Sequence, residues 1–308
     1  MKLEYNILWL DNDLKDYIDN GDVKSINDYL IDLGFEPNIV TVFDEAELDE
    51  HLDIKYDLII SDFNLNKENG DVIIYRIREE RKLDTEILFY SAKSNFIEDK
   101  DVKERLAFME RINIQIGRDT LLDKIEKVIE LTVQKLLELN ATRGLITSAT
   151  SELDVVIEET TMELVYNHLK LSKDDIDGII NFYVDDYLRK SPDYFLKKYK
   201  EVGFKKWFHR IDASRKWNIF RGLLKKIDNN DIKDFLTKNK SYGKDVIDIR
   251  NKFAHAKSEM VDGKLVLKGQ YGKDDFKFDL DSCVNIRHNL INHKHNLENL
   301  KEILNNLE

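Results

Sequence analysis

The sequence predicts a doubly wound α/β unit with a parallel five-stranded sheet, followed by an all-α helical bundle with a small β-hairpin. Three observations carry this expectation. Apolar, β-branched runs alternate with helix-period segments over residues 1–130. Beyond them the pattern is helix-period, interrupted by the alternating stretches Leu265–Gly269 and Phe276–Phe278. The charge changes too: residues 1–130 hold 17 bases and 32 acids, so −15, whereas 131–308 hold 31 and 28, so +3. A chain of 308 residues suits two domains. The expected division is 1–130, a helical extension and junction at 131–144, and 145–308.

The elements follow in order. Asn6–Leu10 is an apolar strand running into Asp11-Asn12-Asp13. Ser25–Leu33 has apolar residues at helical spacing, with Gly34 as a stop. Ile39–Phe43 is strand-like, and Asp44–Leu52 is helical with Asp44 as its cap. Tyr56–Asp62 is a buried strand ending in a carboxylate; Val72–Arg81 is a helix; Glu86–Ser91 is the next strand. Asn113–Ile116 is the fifth strand and Leu121–Leu139 a long helix, with a short break at Asn140–Gly144. Helices are then expected at Ile146–Lys170, at Asp174–Arg189 with Ser172 as cap, and from Ser191-Pro192. Further helices are expected at Trp207–Lys226, Tyr242–Ala256 and Cys283–Leu307.

Composition excludes several classes. No run approaches the ~18 apolar residues of a membrane span, and the four-residue run Ile7–Leu10 is too short for a secretory signal. A single cysteine, Cys283, leaves no intrachain disulfide framework or thiolate zinc site, which suits a reducing cytoplasm. Neither G-x-x-x-x-G-K-[ST] nor G-x-S-x-G occurs.

In a parallel sheet, ligands sit beyond the carboxyl ends of the strands. Asp11, Asp13, Asp62 and Ser91 all fall at such ends. Three converging carboxylates repel one another unless a cation joins them, and hard oxygen ligands favour Mg²⁺. The runs I-L-W-L-D-N-D and D-L-I-I-S-D-F-N-L, with Gly70 eight residues after Asp62 and then I-L-F-Y-S-A, resemble a response-regulator receiver domain. The resemblance implies Asp62 as phosphoacceptor, Ser91 as the hydroxyl that senses the phosphate, and an upstream histidine kinase or other signalling protein. Asp11 takes the place of the first pocket acid. The sequence departs from the pattern at Asn12, where a second acid belongs and Asp13 lies next door. It departs again at the fifth strand, with no lysine between Lys103 and Lys124; Arg118 is the nearest cation.

Residues 187–227 carry 13 bases and 3 acids, so +10, interleaved with nine aromatic residues. Such a stretch suits a polyanion, with Lys197, Lys198, Lys205, Lys206 and Arg210 as candidate nucleic-acid contacts. It equally suits an amphipathic helix pair with its rings in the core. His209 lies in the same segment, where a structural role and an RNA contact are the two readings.

Arg250-Asn251-Lys252-Phe253-Ala254-His255 is an R-x4-H arrangement near a helix end. RNA cleavage by its own 2′-hydroxyl needs a proton acceptor near neutral pH and a fixed cation for the charge gathering on phosphorus. Histidine and arginine supply these without a metal. Allowing four to six intervening residues, 13 arginines and 7 histidines give roughly one such pair by chance. A second, Arg287–His293, does occur. The content of the first, R-N-K-F-A-H on a late helix of a helical module, resembles the HEPN superfamily. That resemblance implies catalytic Arg250 and His255, a site-positioning Asn251, packing roles for Phe253 and Ala254, and a homodimer that brings two motifs together. His288, His293 and His295 read as a solvated helix face.

The expected function is a signal-gated, metal-independent endoribonuclease of phage defence or growth arrest, with a receiver-like regulator. The alternative is a non-enzymatic signalling adaptor whose helical module dimerises or binds nucleic acid. A DNA-binding output is a third reading, without a helix-turn-helix pattern to support it.

Overall fold

The computed structural model describes residues 3–44, 47–52, 54–66, 69–80, 85–92, 100–107, 109–187, 192–269 and 274–307. Within these, the side chains of residues 80, 101, 103, 105, 107, 183–187, 192–198 and 255 are outside the description. The chain divides into two compact units, Met1–Thr142 and Arg143–Glu308.

The first unit is a parallel sheet of five strands, β1 (Glu4–Leu10), β2 (Glu36–Val42), β3 (Leu58–Asp62), β4 (Glu86–Ser91) and β5 (Ile112–Ile116), in the order β2-β1-β3-β4-β5. Its helices are α1 (Leu14–Asp19), α2 (Asp22–Asp32), α3 (Leu48–His51), α4 (Gly70–Tyr75), α5 (Lys100–Ala107) and α6 (Leu121–Gln134). Both faces of the sheet are covered, so the inner strands are apolar on both sides. Tyr5, Ile7 and Trp9 pack with Ile26, Leu30, Ile125 and Ile129, residues of α2 and α6. Leu8, Leu10, Ile59 and Phe89 pack on the other face with Leu48, Ile73 and Val102. Pro37 is tolerated because β2 is an edge strand.

Three expectations change here. The segment expected to be helical over Asp44–Leu52 forms one turn only, Leu48–His51, preceded by Glu47 rather than capped by Asp44. Buried Leu48 and Leu52 anchor that turn. Helices α1 and α5 were not foreseen, being short and rich in charge. The expected break at Asn140–Gly144 is helical, inside α7 (Leu139–Glu163), and the interruption falls before it, after Gln134. Thr142, Leu145 and Ile146 are buried, and their packing outweighs the poor helix propensity of glycine.

The second unit continues from α7 through a wider π-type turn, Leu164–His168, into α8 (Lys173–Tyr187), α9 (Pro192–Arg210), α10 (Ala213–Leu224) and α11 (Asn230–Lys238). A second π-type turn, Gly243–Asp248, leads into α12 (Ile249–His255). An antiparallel sheet of β6 (Ser258–Val261), β7 (Lys264–Leu267) and β8 (Phe276–Phe278) follows, then α13 (Leu280–Asn305). The expected hairpin is therefore β7–β8, with β6 added at its edge.

Ser172 caps α8 as expected: its Oγ accepts from Asp175 N–H, while the Asp175 carboxylate accepts from Ser172 N–H at 3.0 Å. The expected helix Trp207–Lys226 is two helices. Asp212 takes extended backbone angles and its carboxylate accepts from Arg215 N–H at 3.0 Å, which starts α10 afresh. Gly203, at φ 77°, breaks α9 with a conformation that a side chain disfavours. Among the described residues, no helix is long and apolar enough to cross a membrane.

Candidate functional site

The order β2-β1-β3-β4-β5 reverses direction between β1 and β3. Doubly wound sheets bind ligands in the crevice outside the carboxyl ends of the strands at such a switch point. Two side chains flank that crevice: Asp11, which follows β1, and Asp62, the last residue of β3. Both are buried, Asp62 at 5% exposure. Ser91, at the end of β4, is buried beside them, and its Oγ accepts from Asn64 Nδ2 at 3.1 Å.

Gly70 explains the close packing under Asp62. A Cβ there would lie 2.3 Å from the Asp62 carbonyl oxygen and 2.6 Å from Phe89 Cε2. The start of α4 rests directly on the strand end, so only glycine fits.

Asp62 Oδ1 accepts from Phe63 N–H at 2.8 Å. Burial, and then the nearby Asp11 charge, push its carboxyl up to about 6. Asp11 is also raised, chiefly by burial, although Tyr90 O–H donates to Asp11 Oδ2 and Asp13 N–H to Asp11 Oδ1 at 2.6 Å. Trp9 Nε1–H donates in turn to the Tyr90 hydroxyl at 3.2 Å. Tyr90 was not foreseen as a site residue. Its only signal is a tyrosine on the strand position before Ser91, in an otherwise apolar run.

Arg118, in the loop between β5 and α6, reaches across to Asp13 Oδ2 at 2.7 Å, its guanidinium 5.7 Å from the Tyr17 ring centroid. The hydrogen bond to Asp13 holds its pKa above the ordinary arginine value, and its charge draws Asp62 downward against burial. Asn12, oriented to satisfy both ends of its amide, donates to Phe43 O and accepts from Asn66 N–H, each at 3.0 Å.

The magnesium set expected from Asp11, Asp13 and Asp62 is not assembled. Asp13 is exposed and turned to Arg118, and Asp11 is engaged by Tyr90. Among the described residues no group of three His, Cys, Asp or Glu side chains is arranged to hold a metal ion. The structure brings together Asp11, Asp62, Ser91 and, through Asp13, Arg118.

In the helical unit, Arg250 lies on α12 with its Nη1 3.4 Å from Asp154 Oδ2 of α7, and the side chain is 39% exposed. Asn251 and Ala254 are exposed. Phe253 is buried edge-on against Phe276 and Phe278, as packing requires, whereas Ala254 is not a packing residue. His255 closes the helix, and its side chain lies outside the described residues.

Of the nine interleaved aromatics, Tyr199, Phe204, Trp207, Phe208, Trp217 and Phe220 are buried and not open to stack on bases. Tyr187, Tyr194 and Phe195 have side chains outside the described residues, as do Lys197 and Lys198. Lys205, Lys206 and Arg210 are exposed.

The three histidines of α13 do not form one solvated face. His295 is exposed, His288 is half-buried, and His293 is buried. Its Nδ1 meets Asn239 Oδ1 at 2.7 Å and its Nε2 meets Asp245 Oδ2 at 3.3 Å. Arg287, one face over, is also fully buried, and burial pulls its guanidinium down to about 10.

No protein-family model matches the chain, and no curated protein matches it. Among solved structures, the N-terminal part is similar to two of the chemotaxis response regulator CheY4 of Vibrio cholerae. One, crystallised at pH 4.0, is 19% identical with a TM-score of 0.31; the other is 20% identical with a TM-score of 0.30. Each covers 41% of this chain and 98% of that chain.

Proposed function

We propose that the first unit is a receiver-type regulator that takes up a phosphoryl group on Asp62, and that the helical unit is the effector it controls. The observation that carries this reading is the buried Asp11–Asp62 pair at the topological switch point, with Ser91 and Arg118 around it. The Asp62 carboxylate attacks phosphorus of a phosphoryl donor, and the bond from phosphorus to the donor's leaving atom breaks (nitrogen of a phosphohistidine, oxygen of an acyl phosphate), its electron pair going to the donor. Arg118 and the Ser91 hydroxyl are the cation and the donor within the pocket for the new charge. No step is routed through a metal ion.

The effector activity in this reading is metal-independent RNA cleavage. His255 takes the proton of a 2′-hydroxyl, the 2′-oxygen attacks phosphorus, and the 5′-oxygen leaves, giving a 2′,3′-cyclic phosphate. Arg250 faces the charge on phosphorus, with Asn251 beside it; two copies of the chain pair through the helical unit, in phage defence or growth arrest. Support comes from the R-N-K-F-A-H content and from the guanidinium being fixed yet partly open. A second reading, the adaptor, is favoured by one observation: Asp11 and Asp13 already have partners within the unit.

The test incubates the protein with acetyl phosphate, with and without Mg²⁺, then transfers it to EDTA with total RNA. Mass gain on Asp62 and cleavage absent from Arg250→Ala and His255→Ala are expected. No mass gain removes the phosphoacceptor; no cleavage before or after treatment selects the adaptor.

A further inference from the structure

The helical unit carries a second histidine built like an acid–base group. His209, in the last turn of α9, places Nδ1 3.1 and 3.0 Å from the two carboxylate oxygens of Glu158 on α7. The ring is 73% exposed, and among the described residues its Nε2 has no partner. A carboxylate on Nδ1 fixes the tautomer and orientation, leaving Nε2 to accept or deliver a proton in solvent.

Two further basic side chains meet the same turn of α7. Glu158 also holds Lys216 Nζ at 3.4 Å, a lysine only 8% exposed. Glu158 stands four residues after Asp154, the partner of Arg250, which is one helical turn and about 6 Å along α7. Lys216 and Arg250 both act on Asp154, drawing its carboxyl down against the burial that raises it. Three basic side chains from α9, α10 and α12 thus converge on one turn of α7. Two of them, His209 and Arg250, keep open polar edges.

We propose that His209 is a further catalytic residue of this site, taking a phosphodiester of single-stranded RNA against its Nε2 while Arg250 holds the phosphate charge. This rests on the ribonuclease reading above. In the cleavage step, protonated Nε2 delivers its proton to the departing 5′-oxygen as the P–O5′ bond breaks, the counterpart of proton removal from the 2′-hydroxyl. Glu158 is a positioning residue.

The experiment compares wild type, His209→Gln, Glu158→Gln and His255→Ala in RNA cleavage across pH. In parallel, imidazole NMR follows a titration with a non-cleavable 2′-O-methyl oligonucleotide. Because His209 is exposed, its variant keeps the fold. His209→Gln is expected to lower kcat about 100-fold with KM little changed and to flatten the alkaline limb of the pH profile. Glu158→Gln is expected to lower kcat less, and the oligonucleotide to shift the His209 ring resonances. Cleavage lost in His255→Ala but unchanged in His209→Gln overturns the proposal and leaves the ribonuclease reading intact. No wild-type cleavage at all, before or after acetyl phosphate treatment, removes that reading and the catalytic role. An unmoved His209 resonance then removes the anion site as well.

Discussion

Asp62→Asn should make the first unit more stable at neutral pH. Asp62 is buried beside Asp11, and its carboxyl is raised from 3.8 to about 6. The folded protein therefore binds a proton between pH 4 and 6 that the unfolded chain does not. The stability tied to that proton is fully present below pH 4 and is lost as pH rises through 6. At about 1.4 kcal/mol per pH unit, the ionised carboxylate costs the fold about 3 kcal/mol at pH 8. Asparagine keeps the acceptor for Phe63 N–H and removes the charge. The variant should gain about 3 kcal/mol at pH 8 and close to nothing at pH 4. Native-state hydrogen exchange at the amides of β1 and β3, measured from pH 4 to 8, reads this in the first unit alone. A neutral or destabilising effect at pH 8, or a gain independent of pH, would refute the account of Asp62 as a carboxylate held against its preference.

Two further outcomes follow from the same site. Gly70→Ala puts a methyl group 2.3 Å from the Asp62 carbonyl, so it should cost roughly 1–3 kcal/mol in urea unfolding and suppress labelling of Asp62 by acetyl phosphate. Tyr90→Phe removes a donor from the buried Asp11 carboxylate and leaves Trp9 Nε1–H without its acceptor. It should cost about 1.5–3 kcal/mol at pH 8, and carbon-13 NMR should find the Asp11 carboxyl titrating at higher pH.

The fold of the first unit was legible because period-2 and period-3.6 patterns agree with burial. β1, β3 and β4 are apolar on both faces, and all five strands stand within a few residues of their expected limits. Asp11, Asp62 and Ser91 were legible for the same reason, since a polar residue ending an apolar strand marks the carboxyl edge. What was hidden depends on contacts distant in sequence. Tyr90 reads as one more core residue until Asp11 is set against it, 79 positions away. Arg118 needed the loop after β5 to place it on Asp13. His293 was misread because one helix's angular spacing does not show that α11 and the π-type turn before α12 cover it. The aromatics of residues 187–227 had two fair readings, and the core claimed those whose side chains are described.

His293 supplies a last prediction, opposite in sign to that for Asp62. Burial draws its pKa below 6.5, and the Asp245 carboxylate only partly restores it. The groups facing the ring are Asn239, Asp245, Tyr242 edge-on at 5.2 Å, and Asn296, which donates to Asn239. Only Asp245 among them carries charge near neutrality. The unfolded chain therefore takes up a proton below pH 6.5 that the folded unit accepts less readily. Stability tied to His293 is fully present above 6.5 and is lost as pH falls. Acidification from pH 8 to 5 should thus weaken the helical unit while it strengthens the first unit through Asp62. Hydrogen exchange resolved by element separates the two in one experiment. Amides of α11 and α13 should lose protection while those of β1 and β3 gain it, and His293→Gln should flatten only the first response. Protection lost in both sets would refute the account of Asp62, and protection gained in both would refute that of His293.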